Sequence, residues 1–458
     1  MRLLLLCGGS GKRLWPLSND IRSKPFVKLL PNERGEKESM IQRVCRMLHD
    51  AGLLEHTTIV AHESQVGAVR HHVGDAVPVL AEPFRRGTFS AIALAAASLS
   101  SEAHADPEET LCVLPADCYA EPAFFAAVGR LPALLARSGA ELAMIGVEPD
   151  HPSSQYGYIV PSGSGGADYD FVSWFAEKPD GQEAARLIAR GALWNCGVFA
   201  FTVSFMLSRM ADIGVPARPA ELLDVYASLP EMSFDVEVAE KTRSRIVVPY
   251  RGTWRDLGDW NQLAEAAGSR VVGIGHVSDD SRGTCLINEL DVPVRVIGIP
   301  NAIVAAGPDG VLVADKGQAN RIKQELAARP LPPPFAMVGE TSWGKYRVLD
   351  RTMTEPPTVT RKVEMRPGAH TSYHRHRKRS EICTVVSGAG EWILDGALRP
   401  IRAGDVLYIP PGANHAVRAA SALEIIEVQI GGELAADDEE ILCASWESAA
   451  GGATGNDG

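Results

Sequence analysis

Leu6-Cys7-Gly8-Gly9-Ser10-Gly11-Lys12-Arg13-Leu14-Trp15-Pro16-Leu17 closes an apolar run that begins at Leu3. A buried strand entering a glycine-rich turn leaves backbone N–H groups free to point at phosphate oxygens, and Lys12 and Arg13 add side-chain charge. Gly8, Gly9, Ser10 and Gly11 are therefore candidates for a nucleotide-phosphate cradle. The stretch is not a Walker A loop, because Leu6 stands where its first glycine belongs and Arg13 where a magnesium-holding Ser or Thr is required. Nor is it the dinucleotide fingerprint, whose third glycine is replaced by Leu14. A purely structural turn is the alternative, and the adjoining Arg13-Leu14-Trp15-Pro16-Leu17 speaks against it.

The chain has 458 residues, 45% of them hydrophobic, which suggests two or three domains. Its formal net charge is -12 with the basic residues dispersed, which argues against nucleic acid or an anionic membrane as the main partner. Only the short run Leu3–Cys7 precedes the glycines, too few apolar residues for a signal peptide, and no later run could span a bilayer. A cytoplasmic protein is expected. Eight scattered cysteines without a C-x-x-C pair read as free thiols, with Cys7 a small core residue.

Strand-like and helix-like segments alternate over residues 1–265. Strands are expected at Leu3–Leu6, Thr58–Ala61, Val77–Ala81, Leu111–Leu114 and Leu142–Val147, with helices at Met40–Leu48, Ser64–Val73, Ser90–Leu99 and Ala123–Leu135. Repeated βα units imply a mostly parallel sheet with ligands at the carboxyl ends of its strands. Residues 266–328 carry short apolar bursts between turn residues and read as a small β module of solenoid-like coils. Arg329-Pro330-Leu331-Pro332-Pro333-Pro334 opens a stiff linker, 329–339. A strand-rich domain, 340–445, and a disordered tail, 446–458, complete the expected plan.

A cradle for nucleotide phosphates gathers negative charge, which calls for cations and for a divalent metal, Mg²⁺, held by carboxylates. Asp117, after Leu114-Pro115-Ala116, and Asp256, in Trp254-Arg255-Asp256-Leu257-Gly258-Asp259-Trp260, are the candidate ligands; alone, each would read as a turn or cap residue. The opening loop resembles the signature of sugar-phosphate nucleotidylyltransferases. The first 265 residues resemble the mannose-1-phosphate guanylyltransferase family, through Arg22-Ser23-Lys24-Pro25-Phe26, Ala81-Glu82-Pro83, Ala91 to Ala96, Tyr156-Gly157-Tyr158-Ile159, Ala176-Glu177-Lys178-Pro179 and Leu193-Trp194-Asn195-Cys196-Gly197. The resemblance implies that the glycine loop and Arg13 hold the triphosphate, that Lys24 draws the phosphates together, and that Glu82 and Thr88 lie on the nucleotide side. It implies further that Tyr156, Gly157, Glu177, Lys178 and Asn195 address the sugar phosphate. Glu177-Lys178 could instead be an exposed ion pair, and Tyr156 and Trp194 core aromatics. Arg85-Arg86-Gly87-Thr88-Phe89-Ser90 departs from the family's Gly-Arg-Asn-Thr-Ala-Pro, so that Gly87 replaces an asparagine expected near the base.

Towards the C-terminus, Gly368, His374-Arg375-His376, Glu381 and Gly388 fit the first cupin motif, and Gly404, Pro410-Pro411-Gly412 and His415 most of the second. Alternate strand residues share a face, so His374 and His376 point the same way, where Glu381 and His415 complete a site for a transition metal such as Zn, Mn, Fe or Ni. The segment resembles the cupin of type II mannose-6-phosphate isomerases, with His374 where that family has Gln and Ile382-Cys383 in place of His-Trp. Isomerisation, sugar-phosphate binding without turnover, and iron-dependent oxygenation all remain open for it. The resulting expectation is an α/β protein: a Rossmann-like nucleotidyltransferase domain with a mostly parallel sheet, a solenoid-like β module and a C-terminal β-barrel cupin. Its implied substrates are GTP and mannose 1-phosphate, and it is expected to be a homo-oligomer. Another triphosphate and hexose phosphate, or a silent sugar-nucleotide sensor, are the alternatives.

Overall fold

The computed structural model describes residues 1–8, 12–19, 22–101, 106–258, 260–329, 337–352, 355–431 and 438–453. They fall into two compact units, Met1–Pro332 and Pro333–Gly458. No described helix is long and apolar enough to cross a membrane.

In the first unit the apolar run becomes β1 (Arg2–Cys7), whose side chains are buried on both faces: Leu3 and Leu5 enter one core, Leu4 another. The other strands of the same sheet are β2 (Thr57–His62), β3 (Val79–Glu82), β4 (Thr110–Pro115), β5 (Leu142–Val147), β6 (Gly157–Pro161), β7 (Asp170–Ala176), β8 (Leu193–Thr202) and β9 (Arg245–Tyr250). Their order is β3-β2-β1-β4-β8-β5-β9-β7-β6. The quartet β3-β2-β1-β4 is parallel, as are β5 and β9, whereas β8 runs antiparallel to both β4 and β5. β7 is likewise reversed, against β9 and β6, but it is the reversal of β8 that matters for the site. The carboxyl ends of β1 to β5 open on one edge, and the antiparallel strand brings its own beginning to that edge.

Helices α1 (Met40–Asp50), α2 (Val66–Val73), α3 (Gly87–Ser100) and α4 (Pro122–Ser138) cover the sheet close to the expected spans. Ser39 and Gln42 form a capping box at the start of α1, whose apolar stripe Ile41, Val44 and Leu48 is buried. In α3 every residue from Phe89 to Ala97 is buried, as a helix apolar on all sides must be.

After the sheet, Val271–Val272, Cys285–Asn288 and Ala302–Gly307 pair in parallel, as do Gly275–Val277 and Val294–Val296, around Val277, Leu286, Val296 and Val304. These are coils of a short solenoid, capped by the antiparallel strand Gly310–Asp315. A helix, Ile322–Ala328, follows where only β structure was expected.

The second unit is built from a six-stranded and a five-stranded antiparallel sheet around Val363, Val385, Trp392, Leu423 and Ile425. Two expected boundaries are corrected. Val338–Glu340, assigned above to the linker, is an edge strand on Gly344–Thr352; residues 330–336 of that linker lie outside the described residues. Residues 446–453 form a helix rather than a disordered tail, because Trp446 buries its ring against the core of Ile393 and Ala416, with the Arg418 guanidinium 4.8 Å above it. Residues 454–458 lie outside the described residues.

Candidate active site and metal centre

At the open edge of the sheet, β4 ends at Pro115 and the Ala116 N–H donates to the Leu6 carbonyl at 2.9 Å, which ties the approach to Asp117 to the exit of β1. The next residues, Cys118–Ala120, pair antiparallel with Trp254–Asp256, placing Cys118 opposite Asp256. Two acidic residues far apart in sequence thus meet through one short hairpin-like ladder. Lys24, in the turn Lys24–Phe26, reaches between them: its Nζ lies 2.7 Å from Asp117 Oδ2 and 2.6 Å from Asp256 Oδ1. The lysine is buried, while 32% of the Asp117 and 31% of the Asp256 side chain stay exposed, so the carboxylates can still meet an incoming ligand. Burial would depress the Lys24 ammonium, but the Asp117 and Asp256 charges override it and hold the group above the ordinary lysine value. Burial likewise opposes ionisation of Asp256, and Lys24, the Gly258 N–H at 2.9 Å and Arg13 outweigh it, keeping that carboxyl below its usual range.

Gly8 stands exposed at the exit of β1, and Gly9, Ser10, Gly11 and the Lys12 side chain lie outside the described residues. Burial pushes the Cys7 thiol well above its ordinary value, in keeping with a core residue and not a nucleophile.

Two strands from β1, β3 delivers Glu82, buried and accepting a 2.9 Å hydrogen bond from the Tyr226 hydroxyl. Burial raises its carboxyl, with Tyr226 as the main opposing influence. The Thr88 hydroxyl accepts from the Phe234 N–H at 2.9 Å, and Phe89 N–H donates to Met232 O, so the start of α3 is stitched to the segment 226–234. Gly87 explains the departure noted in the sequence. Its φ is +84°, and a Cβ there would lie 2.1 Å from the Met232 carbonyl oxygen.

On the other side, Asn195 sits near the start of β8, opposite Gly157 on β6. A Cβ at Gly157 would come within 2.6 Å of Glu177 Oε2 and 3.2 Å of Asn195 Cβ, so the missing side chain lets these two groups converge. Asn195 donates to Asp235 Oδ1 at 2.6 Å and accepts from the Gly197 N–H at 3.0 Å; Lys178 pairs with Glu177. Burial and the nearby Asp235 charge push the Glu177 carboxyl up. Tyr156 and Trp194 are buried with ring centroids 4.6 Å apart, within a small core that includes Tyr158 and Leu187. Tyr226 and Asp235 are polar partners that sequence reading missed, since neither belongs to a periodic segment or motif.

In the second unit His374 and His376 lie on one face of Tyr373–His376, and His415 stands directly opposite His374. The ligand atoms of the three histidines lie within 4.8 Å of one another. Each Nδ1 faces a backbone carbonyl, of Ser372 at 2.8 Å, Asp438 at 3.3 Å and Ala413 at 3.1 Å. With those hydrogens committed, each Nε2 is the acceptor atom turned to the others, and at His376 it takes a 3.1 Å hydrogen bond from the Arg379 guanidinium that a metal would displace. Glu381 joins them, 3.3 Å from His376 Nε2 and 3.4 Å from His415 Nε2. Three imidazoles and a carboxylate suit a transition metal. Burial keeps His374 and His376 below the ordinary histidine value, His376 at about 4, so both are neutral at pH 7, whereas Glu381 outweighs burial at His415 and holds it above that value.

Beyond the motif, Gln429 donates to Glu381 at 3.0 Å and to Glu427 at 2.9 Å, and Glu427 is gripped by Arg361 through two hydrogen bonds. Arg379 Nε donates to Glu381 Oε1 at 3.2 Å. The alternation Ile425-Ile426-Glu427-Val428-Gln429 held the signal for the inward pair, two polar residues on the face of a strand shared with Ile425. Asp438, whose carbonyl faces His376, carried no such signal.

A nucleotidyl transferase family model matches residues 2–270 and a cupin domain model residues 361–429. Xanthan biosynthesis protein XanB of Xanthomonas campestris pv. campestris (strain B100) is 31% identical over 468 residues, covering 95% of this chain and 96% of its own. A mannose-1-phosphate guanylyltransferase of Escherichia coli is 27% identical, covering 95% and 97%. Among solved structures, a protein of Thermus thermophilus described as a mannose-1-phosphate geranyltransferase superposes with a TM-score of 0.60 at 29% identity, over 71% of this chain and 98% of that one. The acidic pair with its bridging lysine and these likenesses together place the chain in the nucleotidyl transferase family, as a sugar-1-phosphate nucleotidylyltransferase with a C-terminal cupin domain.

Proposed function

We propose that the N-terminal unit joins mannose 1-phosphate to GTP, releasing pyrophosphate and giving GDP-mannose. The observation that carries this reading is the placement of Asp117 and Asp256 within 2.7 Å of the same lysine nitrogen beside the exit of β1, in a chain whose full-length relatives include named guanylyltransferases. In the reaction a sugar-phosphate oxygen attacks the α-phosphorus while the bond to pyrophosphate breaks, so negative charge moves to the departing group. Two part-exposed carboxylates on one side of the phosphates are hard oxygen donors that suit Mg²⁺, which when bound supplies charge neutralisation. Lys24 acts as a point charge between donor and acceptor phosphates, and Arg13 faces the pyrophosphate. Glu82 takes the nucleoside, and Glu177, Lys178 and Asn195 the sugar phosphate, because hydroxyls are recognised by fixed polar groups rather than by apolar area. Incubation with each triphosphate and each hexose 1-phosphate, following pyrophosphate release, tests it. Absence of a preference for GTP with mannose 1-phosphate would defeat the specific pairing.

For the cupin, the site favours a metal-assisted reaction on a sugar phosphate, with mannose 6-phosphate to fructose 6-phosphate isomerisation the reading supported by the His374, His376, Glu381 and His415 set. Metal analysis of the purified chain combined with an isomerisation assay separates this from a cupin that binds without turnover: bound transition metal with no isomerisation favours the latter.

A further inference from the structure

The stretch that follows the glycine turn does not end in solvent; it is docked on the solenoid coils of the same unit. Leu14 and Leu17 are fully buried in a cluster shared with Ile287, Ile303 and Ala305 of the coils. Asn19 donates from Nδ2 to Asp309 Oδ2 at 2.7 Å, and its Oδ1 accepts the Arg22 N–H at 2.7 Å. The Arg22 guanidinium grips Glu289 through two hydrogen bonds of 2.7 and 2.9 Å. The coils also make room: a Cβ at Gly310 would lie 2.7 Å from Trp15 Cζ2, and one at Gly307 would lie 3.1 Å from the Pro16 carbonyl oxygen. Arg13 precedes this docked stretch and Lys24 follows Arg22 by two residues. The distance between the two cations is therefore set by a segment held from outside the sheet.

We propose that Glu289 and Asp309, on the solenoid module, are positioning residues for nucleotidyl transfer, holding Arg22 and Asn19 so that Arg13 and Lys24 meet the triphosphate in a fixed geometry. A bidentate carboxylate–guanidinium pair and an amide–carboxylate bond act on opposite ends of one short stretch, with an apolar anchor between them; that combination restrains both position and direction. The module is thereby a working part of the transfer site and not a passive extension of the chain. The inference rests on the transferase reading but not on the identity of base or hexose.

The test uses the full-length chain and whichever triphosphate and sugar-phosphate pair the wild type turns over, so that an unexpected pair counts against the proposed specificity alone. In Glu289→Gln and in Asn19→Asp, which removes the donor and sets two carboxylates face to face, kcat/KM for the triphosphate is expected to fall roughly 10-fold to 100-fold. Amide hydrogen exchange should quicken at Leu14–Asn19 while Cys285–Asn288 stays protected. The double variant Asn19→Asp/Asp309→Asn exchanges amide and carboxylate, keeps the hydrogen bond and the acceptor for Arg22 N–H, and should regain most of the loss. A kcat/KM within about twofold of wild type in both single variants, equal quickening of exchange in the coil strands, or a double variant as impaired as Asn19→Asp would each overturn the proposal.

Discussion

Lys24 shows why these residues cannot be ranked by charge alone. Its ammonium is the shared partner of two carboxylates, and it and Asp256 each hold the other in the charged form. Asp256→Asn keeps the shape and removes the charge; turnover should drop by at least ~10²-fold while nucleotide binding stays detectable by calorimetry. Equal loss of both would favour a purely ligand-binding sensor. The pH dependence follows from the same geometry. Because the Asp256 carboxyl lies below its ordinary 3.8, the stability it contributes is present above that pH and lost as pH falls through its folded value. Lys24, held above its ordinary 10.5, contributes throughout neutral pH and loses its share only in strong alkali. The acid-side fall in melting temperature of the first unit should accordingly be shallower in Asp256→Asn than in wild type, as differential scanning calorimetry from neutral pH downward would read. At this scale the sequence was partly legible. Asp117 and Asp256 were found through the order of motifs, since no spacing rule relates residues so distant; Tyr226 and Asp235 were invisible because their roles exist only after β3, β8 and the intervening helices have packed.

Elements explain which departures from a familiar pattern are tolerated. The positive φ of Gly87 and the Met232 carbonyl beside it leave no room for a side chain, so Gly87→Ala should cost about 2–4 kcal/mol in chemical denaturation and weaken nucleotide binding through the start of α3. Apolar runs and helical periodicity located β1 to β5 and α1 to α4, because buried strands and amphipathic helices write their burial into local sequence. They do not locate β6 to β9, and the antiparallel direction of β8 depends on where a strand inserts between β4 and β5 and not on its composition. They also misjudged residues 446–453, where Gly and Ala suggested disorder and a single tryptophan decides the outcome. Trp446→Ala should release that helix and destabilise the cupin by about 3–5 kcal/mol, seen as a lower melting transition with the first unit unchanged.

Across the whole molecule, every candidate for nucleotidyl transfer, the positioning pair Glu289 and Asp309 included, lies in the first compact unit, and every candidate cupin ligand lies in the second. A chain ending at Arg329 should retain pyrophosphate release with an unchanged preference among triphosphates, whereas chelation by EDTA should abolish it until Mg²⁺ is restored. The two aspartates owe their closeness to three pairs of facing residues, Trp254 with Ala120, Arg255 with Tyr119, and Asp256 with Cys118, in a ribbon separate from the nine-stranded sheet. The bite offered to a cation is consequently a local ruler. Glu82 and Asn195, the groups proposed for nucleoside and sugar, are mounted on other strands and are free to be exchanged over evolutionary time without re-gauging it, so that one ancestral chemistry can be handed many different cargoes.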